Sequence, residues 1–149
     1  MLYNDIYTPR DNLNEIEFLL HICELVNDKN FRIKKTEYRY CPVDFELFYN
    51  DVSIGYIELK CRYSPISTYP TFIIAKKKLD KILDRYDNTI LVFIDKNKDT
   101  VYFYPIIRPL ENFDVRPDIY EKDVYHIQKN SCVFGLRQLI SHITQLLYE

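Results

Sequence analysis

The stretch of sequence that decides the fold is residues 41–62, which read CPVDFELFYNDVSIGYIELKCR. Residues 43–49 and residues 52–62 alternate between apolar and polar side chains, which is typical of strands that bury one face. Between these two runs, Asn50-Asp51 is typical of a tight turn. The stretch therefore predicts two antiparallel strands joined by a hairpin turn.

The second strand of this hairpin carries charged side chains at alternate positions. Glu58, Lys60 and Arg62 share one face, because successive side chains of a strand point to opposite sides. The opposite face is apolar and is expected to lie on the core: Ile57, Leu59 and Cys61. Asp44 is on the neighbouring strand and can come alongside Glu58. Two carboxylates so close repel each other unless a cation lies between them, and Mg²⁺ prefers oxygen ligands of this kind.

The flanking sequence predicts helices on both sides of the hairpin and further strands after it. We expect helices at residues 13–28, with Asn12 or Asn14 as N-cap, at residues 71–86 and at residues 135–148. Strands are expected at residues 32–40, 89–95, 100–105 and 124–128, and irregular chain at residues 106–123. The continuous apolar run at 89–95 indicates burial on both faces. The order α-β-β-β-α-β-β with a closing C-terminal helix predicts an α/β (α+β) domain on one mixed sheet.

The first helix carries a candidate acidic site residue. Projected at about 100° per residue, Glu15 lies within the apolar stripe, whereas Glu17 points to solvent. The stripe consists of Leu19, Ile22 and Val26. A carboxylate on a buried stripe is costly unless it has a partner or a metal. The alternative is that Glu15 is an ordinary acid near a helix N-terminus, where the macrodipole favours negative charge.

The spacing of the charged residues resembles a known motif. P-x-D, then thirteen residues, then E-x-K is similar to the motif of the PD-(D/E)xK nuclease superfamily, which has the restriction-endonuclease-like fold. The matching residues are Pro42, Asp44, Glu58 and Lys60, with one residue between Pro and Asp. A Glu-bearing helix, a hairpin and a Lys-bearing helix follow one another as in that fold over residues 13–95, and the ELKCR run looks similar to small phage-encoded members.

The resemblance implies a nuclease that depends on Mg²⁺ or Mn²⁺ and hydrolyses phosphodiester bonds, in DNA rather than RNA. It makes Asp44 and Glu58 metal ligands together with the backbone carbonyl of Leu59, Lys60 the catalytic lysine, and Glu15 the helix acid. The metal would activate water and screen the phosphate, and Lys60 would orient or deprotonate the water. Members of the superfamily often act as dimers, so the resemblance is compatible with a homodimer.

Two basic residues near the motif are candidates for phosphate contacts. Arg62 ends the second hairpin strand, and a guanidinium can bind phosphate bidentately. On the second helix, the helical projection puts Lys76 at the edge of the apolar stripe and turns Lys77 and Lys78 away from it. The alternatives are a strand-end charge for Arg62 and a partly solvated face for the lysines.

The composition excludes several classes of protein. The chain has 149 residues with 20 basic against 22 acidic ones, and the formal charge of -2 argues against non-specific coating of nucleic acid. A hydrophobic fraction of 47% suffices for a packed core, and the length fits a single domain over residues 1–149. The four cysteines form no cluster with zinc spacing. Without a signal peptide or a membrane-length apolar run, we expect a soluble cytoplasmic protein, in the host cytoplasm if phage-encoded.

Two other functions are compatible with the same residues. A non-catalytic nucleic-acid-binding or assembly module would keep the fold, and the acidic composition and the unassigned residues 106–149 fit such a role. An RNA endonuclease would use the same site on a different substrate. In the absence of any site, Glu58 and Lys60 would form a solvated ion pair of the kind common on sheet surfaces.

Overall fold

The computed structural model describes residues 9–36, 41–62, 71–95, 100–106, 113–117 and 122–148. The helices are α1 (Pro9–Val26), α2 (Lys76–Arg85) and α3 (Leu136–Leu147). The strands are β1 (Phe31–Lys35), β2 (Phe45–Tyr49), β3 (Val52–Arg62), β4 (Thr71–Ala75), β5 (Thr89–Asp95), β6 (Thr100–Pro105), β7 (Phe113–Pro117), β8 (Asp123–Gln128) and β9 (Val133–Phe134). Among the described helices, none is long and apolar enough to cross a membrane.

The strands form two sheets. The larger sheet has six strands in the order β1-β2-β3-β5-β6-β9, so that β1 and β9 are its edges. Its β3–β5 pair is parallel and the other pairs are antiparallel. The smaller sheet has three antiparallel strands in the order β4-β8-β7. This mixed α/β architecture confirms the predicted fold class, a core of the restriction-endonuclease-like kind. The prediction of a single sheet is wrong, because β4, β8 and β7 pair with one another in a second sheet.

The predicted hairpin between β2 and β3 is confirmed. Asn50 and Asp51 both have positive φ angles, 52° and 64°, which suits the two-residue turns that match the twist of paired strands. From this turn the register runs to the pair Phe45–Ile57, with a bulge between Leu47 and Phe48. Asp44 directly precedes Phe45, so it lies where the ladder between the two strands ends.

Both faces of the larger sheet are covered by apolar clusters. One cluster joins the sheet to α1 and α3, and its buried members include Ile22, Leu47, Ile57, Leu59, Val92 and Ile143. The other joins the sheet to α2 and the smaller sheet through Val43, Phe72, Ile74, Leu79, Ile82, Leu91, Phe93 and Ile127. Because β5 contributes alternate residues to both clusters, its predicted burial on both faces is confirmed. The charged face of β3 is therefore turned towards α2 and not towards open solvent.

The predicted start of the second helix is wrong. Residues 71–75 form strand β4, which pairs with β8, and the helix begins only at Lys76. The alternation of buried Phe72 and Ile74 with exposed Ile73 has the period of a strand. The apolar residues of this segment fit the apolar stripe of a helix as well as the buried face of a strand. The choice between helix and strand depends on pairing with β8, which lies some fifty residues further along the chain.

Other boundaries also differ from the prediction. Residues 113–117, expected to be irregular, form β7 and complete the smaller sheet. Helix α1 begins at Pro9, a residue suited to the first turn, so Asn12 and Asn14 lie inside the helix and are not its N-cap. The strand predicted for residues 32–40 is confirmed for residues 32–35, since β1 spans Phe31–Lys35, whereas residues 37–40 lie outside the described residues.

Gly55 allows a close approach between β3 and the chain that leads into β5. A β-carbon at this position would lie 2.6 Å from the backbone oxygen of Asn88. We expect Gly55→Ala to lower the free energy of unfolding by about 1–3 kcal/mol, because the backbone has to shift to relieve the overlap. Urea unfolding measures this loss. The exposed substitution Val52→Thr on the same strand serves as control, and equal stability of the two variants would contradict the close approach.

Candidate active site

Asp44 is held in place by the backbone at the end of the hairpin. Its amide donates to the carbonyl of Ile57 at 3.1 Å, and its carboxylate oxygen Oδ2 accepts from the amide of Leu59 at 2.9 Å. The Thr36 hydroxyl donates to the carbonyls of Val43 and Asp44 at 2.7 and 3.0 Å, which ties the end of β1 to the same segment. Asp44 is 8% exposed, so its carboxylate is fixed in a nearly dry position beside β3.

The contact between Asp44 and Leu59 also orients a backbone carbonyl. The N–H and C=O groups of a strand residue point to the same side of the strand. The N–H of Leu59 points to the side where β2 has already ended, and its carbonyl oxygen is directed to that side as well. A backbone oxygen therefore accompanies the Asp44 carboxylate at the end of the ladder.

Glu58 is the most deeply buried acidic residue of the described chain, at 1% exposure. Its oxygen Oε1 lies 2.6 Å from Nζ of Lys78 on α2 and 3.9 Å from Nζ of Lys60 on its own strand. Its other oxygen, Oε2, is buried and has no hydrogen-bond partner among the described residues. This burial makes the alternative of a solvated surface ion pair wrong for Glu58.

Opposing effects act on the charge of Glu58. Burial, reinforced by the nearby charge of Asp44, raises the pKa of Glu58 to about 7, although Lys78 and Lys60 pull it down. For Lys78, burial favours a lower pKa, but the charge of Glu58, the hydrogen bond to it and the charge of Asp44 raise the pKa above its ordinary value. Lys78 thus stays protonated next to a pair of mutually repelling acids.

Comparison with known protein families assigns the chain to one of them. A family described as "Phage putative PDDEXK endonuclease" matches residues 8–109, more than half of the chain. The chain belongs to this family. The matched range contains the hairpin and α2, and it confirms the predicted resemblance to phage-type PD-(D/E)xK nucleases. No curated protein and no solved structure matched the chain.

PD-(D/E)xK nucleases use divalent metals, and the oxygen atoms at the hairpin end fit such an ion. The Oε2 atom of Glu58 is buried without a hydrogen-bond partner among the described residues, and Asp44 is held by the amide of Leu59, the residue after Glu58, whose own carbonyl is directed to the end of the ladder. An oxygen set of two carboxylates and one carbonyl suits a hard cation that keeps several waters. Within the described residues, no three His, Cys, Asp or Glu side chains lie close enough together to hold a metal.

Glu15 is buried on α1, at 5% exposure, as its position in the apolar stripe predicts. Helix α1 packs on the sheet face that carries Ile57 and Leu59, opposite the face of Glu58. In the part of the chain that the structure describes, Glu15 does not join Asp44 and Glu58 in a group of three possible metal ligands. Its role as the helix acid of a PD-(D/E)xK nuclease stays a prediction.

Helix α2 directs a different lysine to the site than the sequence indicated. Lys78, predicted to point away, contacts Glu58, whereas Lys76 contacts Asp80 at 2.6 Å and lies 5.7 Å from the ring centre of Tyr125. The projection failed because it started the helix at residue 71, whereas residues 71–75 form β4 and precede the helix.

A projection restricted to the buried residues of α2 would have found Lys78. With the stripe centred between Leu79 and Ile82, Lys78 lies about 70° from its centre and Lys76 about 90°. A lysine about 70° from the centre of the stripe can extend its methylene chain along the interface and bring its amine between the helix and the sheet. Lys77, nearly opposite the stripe, is exposed.

The raised pKa of Glu58 predicts a pH-dependent stability of the metal-free protein. Between about pH 4.5 and 7 the unfolded chain has released this proton while the folded chain still holds it. The folded state binds more protons there, so the free energy of unfolding falls as pH rises, by at most about 1.4 kcal/mol per pH unit. Urea unfolding in EDTA at several pH values, for wild type and Glu58→Gln, measures the difference. A difference that does not change with pH would contradict the raised pKa.

Proposed function

We propose that the chain is a Mg²⁺- or Mn²⁺-dependent endonuclease that hydrolyses phosphodiester bonds in DNA. The observation that carries the proposal is the buried Glu58 carboxylate beside Asp44, with one oxygen held by lysine and the other without a hydrogen-bond partner in the described residues. Membership of a phage endonuclease family supports the same reaction class and is consistent with action in the host cytoplasm.

The metal ligands in this proposal are Asp44, Glu58 and the carbonyl of Leu59. When bound, the ion would supply Lewis acidity and positive charge for the phosphate. The chain supplies the rigidity: the amide of Leu59 fixes Asp44 at 2.9 Å, and Lys78 fixes Glu58 at 2.6 Å. Carboxylates held in this way need little reorganisation before reaction, which is the condition for strong electrostatic stabilisation of a transition state.

Lys60 is the proposed catalytic lysine. Its amine lies 3.9 Å from Glu58 Oε1, and its side chain is 32% exposed, so it reaches from the buried acid towards solvent. From there the ammonium group can orient the attacking water and stabilise negative charge that develops on the phosphate. Arg62, two positions further along β3, is proposed to hold a neighbouring phosphate oxygen.

Lys76 and Glu15 are proposed in supporting roles. Lys76 was predicted to contact phosphate, but its ion pair with Asp80 means that a phosphate group has to compete with this carboxylate for it. Glu15 would act as an additional acid from α1. With a formal charge of -2 on the chain, we expect binding to DNA to be weak and strongly dependent on metal and salt.

Cleavage assays test the proposal. Purified protein is incubated with supercoiled plasmid, single-stranded DNA, branched DNA and structured RNA in Mg²⁺ or Mn²⁺. We expect cleavage of DNA, reduced about 10²- to 10⁴-fold by Asp44→Asn, Glu58→Gln or Lys60→Met, since each removes a ligand or the lysine that acts on the reacting groups.

Matched variants make these assays specific. Glu46→Gln removes a carboxylate from β2 that lies beside Tyr56, and it should keep wild-type activity. Glu15→Gln is compared with Glu17→Gln, the exposed acid of the same helix. Identical products from wild type and Asp44→Asn would rule out the enzyme and leave the non-catalytic module. Cleavage confined to RNA would make the chain an RNA endonuclease.

A further inference from the structure

The first turn of α2 is an unusual place for lysines. Lys76, Lys77 and Lys78 open the helix, and its first turn contains no acidic residue. Cations at a helix N-terminus oppose the macrodipole. Lys76 is paired within the helix to Asp80, one turn later, and Lys77 is exposed. Lys78 instead reaches across to β3 and contacts Glu58.

The two carboxylate oxygens of Glu58 have different surroundings. Oε1 faces both ammonium groups, with Lys78 at 2.6 Å and Lys60 at 3.9 Å. Oε2 is enclosed and accepts no hydrogen bond from the described residues. A charge-assisted hydrogen bond as short as the one from Lys78 fixes the position of the bound oxygen, and because the Glu58 side chain is only 1% exposed, this also restricts the plane of the carboxylate.

Fixing this plane matters because Asp44, which accepts a hydrogen bond from the amide of Leu59, the residue after Glu58, lies beside Glu58. The two acids repel each other, and a carboxylate with several rotatable bonds would turn away unless another group held it. Groups behind metal ligands commonly serve to set their orientation. Lys78 is suited to this role, because it contacts Glu58 through Oε1 alone and lies on an element that supplies none of the proposed ligands.

We propose that Lys78 is a positioning residue of the metal site: it holds Oε1 of Glu58 so that Oε2 and the Asp44 carboxylate face the same cation. The inference rests on the proposed metal-dependent function and adds a residue from outside the E-x-K motif. The opposite role is that Lys78 occupies the place of the cation until the metal displaces it. The two roles predict opposite effects of removing the amine on metal affinity.

Calorimetric titration with Mn²⁺ at a single pH near 8, in the absence of nucleic acid, separates these roles. The proteins are wild type, Lys78→Met, Lys78→Arg and the neighbouring control Lys77→Met. We expect Lys78→Met to weaken Mn²⁺ binding by about 10- to 100-fold, the usual effect of removing a group behind a metal ligand. Lys78→Arg should restore part of the affinity, and Lys77→Met should bind like wild type.

Equal or tighter Mn²⁺ binding by Lys78→Met overturns the positioning role, and tighter binding identifies Lys78 as a competitor of the metal. Circular dichroism and urea unfolding verify that each variant is folded. If Lys78→Met does not fold, Lys78→Gln replaces it and is judged by the same fold-changes. A structure with Mn²⁺ should keep the amine within hydrogen-bond distance of Oε1, and displacement of the amine also overturns the proposal.

The outcome for Lys78 is distinguishable from that for the proposed function. If Asp44→Asn abolishes Mn²⁺ binding while Lys78→Met leaves it unchanged, the metal site stands and only the role of Lys78 fails. If the wild type binds Mn²⁺ but cleaves no nucleic acid, catalysis fails while the affinities of the Lys78 variants still decide the inference. If the wild type binds no Mn²⁺ at millimolar concentrations, both are refuted.

Discussion

The burial of one acidic side chain, that of Glu58, constrains the rest of this structure. The carboxylate lies between the six-stranded sheet and α2, almost completely withdrawn from water. A buried carboxylate costs several kcal/mol unless a cation and hydrogen bonds compensate it, and the second acid beside it adds to that cost. The amines of Lys78 and Lys60 supply part of the compensation. The position of α2 and the identity of its third residue are therefore tied to the acid on β3.

The residues of the site differ in whether nearby or distant parts of the sequence determine their positions. Asp44 and Glu58 belong to one hairpin, and their proximity follows from a two-residue turn and the strand ladder. Asp44 is held by the amide of Leu59, a backbone group that is present whatever the side chain at that position. The cation on Glu58 comes from a separate helix, whose placement depends on the packing of Leu79 and Ile82 against β5. The acids are thus set by the hairpin, and their electrostatic environment is set by tertiary packing.

This difference explains which features were predictable from the sequence. The hairpin, β5, β6 and the charged face of β3 were predicted because turn residues and strand alternation are local signals. Strand β4 was mistaken for the start of a helix, because its partner β8 is remote in sequence. That error shifted the apparent apolar face of α2, so the projection selected Lys76 as the site residue and not Lys78. Strand β7 was missed for the same reason, since its order comes from pairing with β8.

The strand order of the larger sheet has a consequence for association between copies of the chain. Exposed strand edges invite pairing with other chains, and charges or short length discourage it. One edge, β1, carries exposed Arg32, Lys34 and Lys35, and the other, β9, has only two residues. Like charges on β1 repel when two such edges meet, and β9 offers too few backbone groups for a stable ladder. Continuation of the larger sheet across two copies is therefore disfavoured at both of its edges, so a homodimer would have to use other surfaces, such as the helices or the smaller sheet.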